Sequence, residues 1–190
     1  ADTSADTGRE GKDPARQIRE AADAPFALPG IALRMSAYAY DATREGTTRT
    51  LLVSEIRIDD LTFEETKGQF SAELDVLLTV THYATGRTLG DRPVGIQLAA
   101  RSDVRGQNAW HRITQEVGLL PGAWVAKVVV RDRRSGAIGS VTHSLDVPGG
   151  GSWRTSSPVL SDAVSADASP QLQHALPLAR RTFAAAGRLY

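Results

Sequence analysis

Cysteine is absent from this chain of 190 residues. That excludes a disulfide framework, a thiolate zinc centre and a cysteine nucleophile together, while leaving the compartment open, because exported proteins also do without cysteine. Net charge is missing too. Lys and Arg number 22 against 22 Asp and Glu, so no field draws the chain to nucleic acid or to an anionic membrane surface. No apolar run approaches the roughly 20 residues that a membrane-spanning helix needs. The opening Ala1-Asp2-Thr3-Ser4 is small and polar, unlike a signal peptide, and reads as the start of a mature piece of something longer.

What is present is two-residue periodicity. The stretch from Leu120 to Pro148 organises the rest: Trp124, Ala126, Val128 and Val130 alternate with Val125, Lys127, Val129 and Arg131, giving one wholly apolar face and one that carries charge. Asp132-Arg133-Arg134-Ser135-Gly136 supplies turn chemistry before a second alternating run through Val141, His143, Leu145 and Val147. Upstream, Leu33, Met35, Ala37 and Ala39 share one face of a strand, Arg49 to Ile58 forms the next, and Phe70 to Val80 makes the longest alternating run, a central strand. Thr88 to Ala100 and Trp110 to Leu119 complete the set, with turns at Thr66-Lys67-Gly68, Ala84-Thr85-Gly86-Arg87 and Pro121-Gly122. One short helix is expected, capped by Asp13 with Pro14 at its first position and ended by Pro25, with Phe26, Leu28 and Ile31 plugging it onto the domain edge.

About seven strands with one helix is the pattern of an all-β, two-sheet sandwich of immunoglobulin or fibronectin type, without the Cys–Trp–Cys mark of antibody domains. The organisation follows from composition. Residues 1–12 are a flexible arm without large apolar side chains, 13–30 the helix and its lead-in, 31–148 the sandwich, and 149–177 a linker in which Val159 and Leu160 offer an edge strand. Residues 178–190 read as a terminal strand, either the start of a further domain or a strand to be donated, with Thr182, Phe183, Leu189 and Tyr190 as its side chains.

Chemical sites are scarce. His82, His111, His143 and His174 show no paired spacing and suit packing or surface roles. Asp59, Asp60, Glu64 and Glu65 flank one bend without the spacing of a calcium loop. Glu73 and Asp75 share a strand face, where carboxylates normally meet water or nearby arginines rather than a glycosidic bond. The glycine pairs near residues 8–12 and 149–153 fit neither a phosphate loop nor a nucleophile elbow. Trp124 belongs to the core by periodicity; Trp110 and Trp153 are the candidates for stacking on a sugar ring. No catalytic, cofactor or metal residue is expected.

The helix DPARQIREAADAPF, followed by LPGIALRMSAYAYD, DLTFEE, the run PGAWVAKVVVRDRRSGAIGS and then ARRTF, resembles the region downstream of the von Willebrand factor type A-related domain in large exported bacterial proteins. The resemblance spans roughly residues 13–190. It implies immunoglobulin-like sandwiches, with ARRTF opening the next one, a location outside the cytoplasm and a non-catalytic role. The D-x-S-x-S metal motif of that family's upstream domain does not occur here. Two functions follow as expectations. The first is an extracellular or periplasmic structural module, a spacer, scaffold or polymer subunit that self-associates by strand exchange or contacts neighbouring domains. The alternative is a carbohydrate-binding accessory module using exposed Trp110 or Trp153.

Overall fold

Asp13 caps the first helix by accepting a hydrogen bond at its Oδ1 from the Ala15 N–H at 3.1 Å, with Pro14 in the first turn where no amide donor is needed. The resulting helix, α1 (Pro14–Asp23), stops where Ala24 turns extended ahead of Pro25. A computed structural model describes residues 13–43, 46–100, 103, 106–149, 156–159, 161, 164–165, 174–180 and 182–183.

Nine strands follow in two sheets: β1 (Leu33–Ala42), β2 (Thr48–Arg57), β3 (Glu64–Thr66), β4 (Gln69–His82), β5 (Thr88–Leu89), β6 (Val94–Ala100), β7 (Trp110–Leu119), β8 (Gly122–Asp132) and β9 (Ile138–Val147). Seven of them are long, matching the alternating runs. One sheet has the order β1-β2-β7, and the other runs β3-β4-β8-β9, with β3 paired to the start of β4 and with β5 and β6 also paired to β4. All these pairings are antiparallel. A further short pair, β10 (Val164–Ser165) with β11 (His174–Ala175), lies in the segment read as a linker.

Two hairpin turns share one construction. Gly86 N–H donates to the His82 carbonyl at 2.9 Å and Gly136 N–H to the Asp132 carbonyl at 2.9 Å, with both glycines at positive φ (68° and 72°). A side chain at the first position holds each turn: His82 Nδ1 accepts from Thr85, and Asp132 Oδ1 accepts from the N–H groups of Arg134 and Ser135. The dipeptides Thr85-Gly86 and Ser135-Gly136 thus encode the same loop twice.

Between the sheets lies the main core, including Leu52, Ile56, Leu74, Val80, Trp124, Ala126, Val128 and Val130. Each Leu, Ile or Val among them contributes on the order of 1.5–3 kcal/mol by leaving water. Trp124 is buried and directs its Nε1–H to the Leu120 carbonyl at 2.8 Å, while His82 meets its ring edge-on at 4.8 Å.

Both outer faces are covered by chain from outside the sandwich. On the β4-β8 face α1 buries Ile18 and Ala21 against Leu77 and Val129. Lys127 donates to the carbonyl oxygens of Ala22 at 2.8 Å and Ala24 at 2.5 Å, so a cation caps the negative end of the helix. On the β1-β2-β7 face Ala179 packs with Tyr38 and Val53, and Val159 joins them. Tyr38 and Val53 are therefore buried although they lie on the strand face opposite the core.

The structure corrects several details. Phe26, expected with Leu28 and Ile31 to plug the helix onto the domain edge, is 64% exposed, whereas partly buried Leu28 packs with the helix residues and Ile31 is buried in the main core. The strand read from Thr88 to Ala100 breaks into β5 and β6 because Gly90 takes φ +79° and Pro93 follows. Thr182 and Phe183 are not in a strand, and Leu178 and Ala179 are buried on the chain's own sheet rather than held away from it. Leu189, Tyr190, Trp153 and residues 1–12 lie outside the described residues.

Candidate functional site

Register decides which way the candidate residues face. Ile56 belongs to the core and pairs with His111, so His111 points between the sheets and its neighbours Trp110 and Arg112 point outward. On that outer face Arg34, Glu55 and Arg112 stand in one row across β1, β2 and β7. Glu55 is almost fully buried and ion-pairs with Arg34, whose guanidinium lies 4.0 Å above the Trp110 ring. Arg112 donates to the Pro177 carbonyl at 3.3 Å. Trp110, a candidate for sugar stacking, is thus half-buried with one ring face already taken.

The acidic bend is equally committed. Asp59 accepts from the N–H groups of Gly106 at 2.7 Å and Asn108 at 3.1 Å, tying the β6–β7 loop to the end of β2. Asp60 accepts from Ala32 N–H at 2.7 Å and from Arg57. Burial pushes its carboxyl up, but those donors outweigh it and hold the group below the usual carboxylate range. Glu64 ion-pairs with Arg134. Among the described residues no group of three or more His, Asp or Glu is placed to hold a metal ion.

Glu73 and Asp75 meet arginines, as the strand-face argument expects: Arg133 lies 2.7 Å from Asp75 and 3.6 Å from Glu73, and Arg131 lies 3.4 Å from Asp75. A polar cavity of about 260 Å³ opens beside them, lined by Thr62, Glu64, Ser71, Glu73, Arg133 and Arg134. Its charges are paired across the cavity wall, a surface ion-pair network of modest strength.

One feature escaped the sequence reading. Where β6 and β7 face each other the sandwich is open, and two cavities of about 270 Å³ each sit in the gap. Val76, Leu78, Val94, Ile96 and Ile113 line the first; Ile58, Phe63, Leu98, Ala100 and His111 line the second. Burial and then the charge of Arg112 hold the His111 imidazole below its ordinary value. The signal was present in the run Val94-Gly95-Ile96-Gln97-Leu98-Ala99-Ala100, which carries no charge and no proline.

The class that fold and side chains define is an all-β two-sheet sandwich. No family model and no curated protein matches the chain. Among solved structures it is similar to a Bacteroides uniformis beta-glucuronidase at 13% identity and TM-score 0.39, over 60% of this chain and 13% of that one. A beta-glucuronidase 2 of the same organism, covalently bound to cyclophellitol-6-carboxylate aziridine, gives the same values. Northeast Structural Genomics Consortium target SoR45 is similar at 14% identity and TM-score 0.40, over 67% of this chain and 93% of that one. The chain spans about an eighth of the glucuronidases' length, and likeness at this distance transfers no activity.

Proposed function

We propose that the chain is a non-catalytic structural module working outside the cytoplasm, a spacer or scaffold able to serve as a subunit of a larger assembly. The observation that carries this reading is that segments on both sides of the sandwich are packed back onto it through buried contacts. The helix is held by Lys127, and the segment around Leu178 is held by Tyr38, whose hydroxyl donates to the Leu178 carbonyl at 2.5 Å. Such docking turns a sandwich and its flanks into one stiff body, which suits a part that sets distances. The resemblance to the region beyond a von Willebrand factor type A-related domain supports the same role and the location. In the described residues no helix is long and apolar enough to cross a membrane. The terminal arm through Thr182 and Phe183 remains the proposed means of strand exchange. The carbohydrate reading is weakened by the Arg34 guanidinium over Trp110.

Electron microscopy and size-exclusion chromatography on three forms test this reading: the intact chain, one lacking residues 181–190 and one lacking 178–190. Filaments or oligomers that vanish with the shorter deletion assign assembly to the arm. The longer deletion also strips Leu178 and Ala179 from Tyr38 and Val53, so it is expected to cost stability as well. Binding of a glycan that Trp110→Ala abolishes would overturn the structural reading.

A further inference from the structure

The edges of the sandwich are treated unequally. At β9, the lead-in closes the edge: Pro29 bridges to Gly139, Ser140 N–H donates to the Leu28 carbonyl at 3.0 Å, and Leu28 N–H donates to Ser140 Oγ at 2.9 Å. At β1, Ser157 pairs with Ala39, its N–H donating to the Ala39 carbonyl at 2.7 Å and its Oγ accepting from Ala39 N–H at 3.0 Å. Among the described residues no backbone group bonds to the outer side of β6. Free edges are normally blunted by charge, proline or a bulge. Over Val94–Ala100 β6 has none of these, the charges and proline of Asp91-Arg92-Pro93 stopping just before it, and Val94 is 61% exposed beside a mainly apolar cavity whose rim carries Asp91 and Arg92. Arg133, which lies over Gly95, is neutralised by Asp75 and Glu73.

We propose that β6 is the docking edge for a second copy of this chain, pairing antiparallel with the same strand of the partner about a two-fold axis through Gln97. The strand is self-complementary in that register. Val94 falls opposite Ala100, Ile96 opposite Leu98, and Gly95 opposite Ala99, so each cross-strand pair joins uncharged residues on one face. Val94, Ile96, Leu98 and Ala100 all lie on the cavity side, and pairing sets the partner's apolar row beside the open gap. A two-fold contact of one strand with itself closes, giving a dimer with one continuous sheet across both copies rather than an open fibre. This inference rests on the assembly reading above and names its partner and surface.

Sedimentation velocity on the intact chain over a concentration series tests it, together with the double variant Val94→Lys, Ala99→Lys. Both positions are exposed, so the variant is expected to keep the circular dichroism spectrum and melting temperature while raising the dimer dissociation constant at least tenfold. Because the chain lacks cysteine, Gln97→Cys gives a single reactive site, which is expected to cross-link between copies faster than the exposed control Thr142→Cys. Equal cross-linking rates, or unchanged association in the lysine variant, overturn the β6 interface. If association instead requires residues 181–190, this interface falls and the assembly reading stands. A strictly monomeric intact chain overturns both.

Discussion

The hydroxyl of Tyr38 donates to the carbonyl of Leu178 at 2.5 Å, joining residues 140 positions apart in the sequence. Both are buried, and beside them Ser36 Oγ reaches the Ala179 carbonyl at 3.4 Å. A backbone carbonyl shut away from water needs such a donor. Tyr38→Phe removes it while keeping the ring, and is expected to cost about 1–3 kcal/mol, the usual penalty for an unsatisfied buried acceptor. Urea denaturation measures the loss, and amide exchange checks its location: protection falls first at residues 176–180.

Asp132 is fully buried and accepts from three backbone N–H groups, those of Thr62 at 2.6 Å, Arg134 at 2.8 Å and Ser135 at 3.1 Å. Asp132→Ala strands all three and is expected to destabilise by about 2–4 kcal/mol. Asp132→Asn keeps one oxygen for the turn but sets an amide against the Thr62 N–H, so it falls between the two. Thermal and chemical unfolding of the three proteins give the order.

Two glycines separate packing from conformational strain. At Gly139 an added Cβ would lie 2.1 Å from the Ile31 carbonyl oxygen, whereas at Gly136, with φ +72°, it would meet nothing within 4 Å. Gly136→Ala is expected to cost about 1–2 kcal/mol from left-handed backbone alone. Gly139→Ala must part the lead-in from β9 and is expected to cost at least about 3 kcal/mol. Unfolding midpoints measured side by side check the ratio.

His111 gives the fold a pH dependence. Burial, with Arg112 adding to it, lowers the imidazole below its ordinary 6.5, so the unfolded chain binds the proton more readily than the folded one. Stability is therefore complete above that value and declines as pH falls through it, until the folded-state imidazole is also protonated. Urea titrations from about pH 7.5 down to about pH 5, where most carboxylates remain ionised, are expected to show this slope. His111→Gln should flatten it.

Strand periodicity and turn chemistry made most of the sandwich legible. Trp124 to Val130 and Phe70 to Val80 alternate cleanly because each strand sends one row into the core. The turns at Gly86 and Gly136 announce themselves through residues that tolerate or require the loop. Tyr38 and Val53 were harder to place, since a strand face covered by a remote segment reads like a solvated one. The surroundings of Lys127 and Arg131 were hidden for a related reason: the face that carries their charges lies under a helix, where the carbonyls of Ala22 and Ala24 and the side chains of Gln17 and Asp75 meet them. The carboxylates of the 59–60 bend lack calcium-loop spacing, but the part they play in tying loops was not legible, because backbone donors such as those of Gly106, Asn108 and Ala32 leave no trace in side-chain spacing.

The docked flanks also fix how the module would carry a pull. The helix is fastened to the outside of one sheet and the segment around Leu178 to the outside of the other, so tension applied to the two flanks acts on opposite walls of the sandwich. Before any long strand can be stripped away, Lys127 must release the helix carbonyls or Tyr38 must release Leu178. Those contacts are short clasps in series with a much larger core. Under load they would act as fuses, yielding a short length of slack while both sheets stay shut.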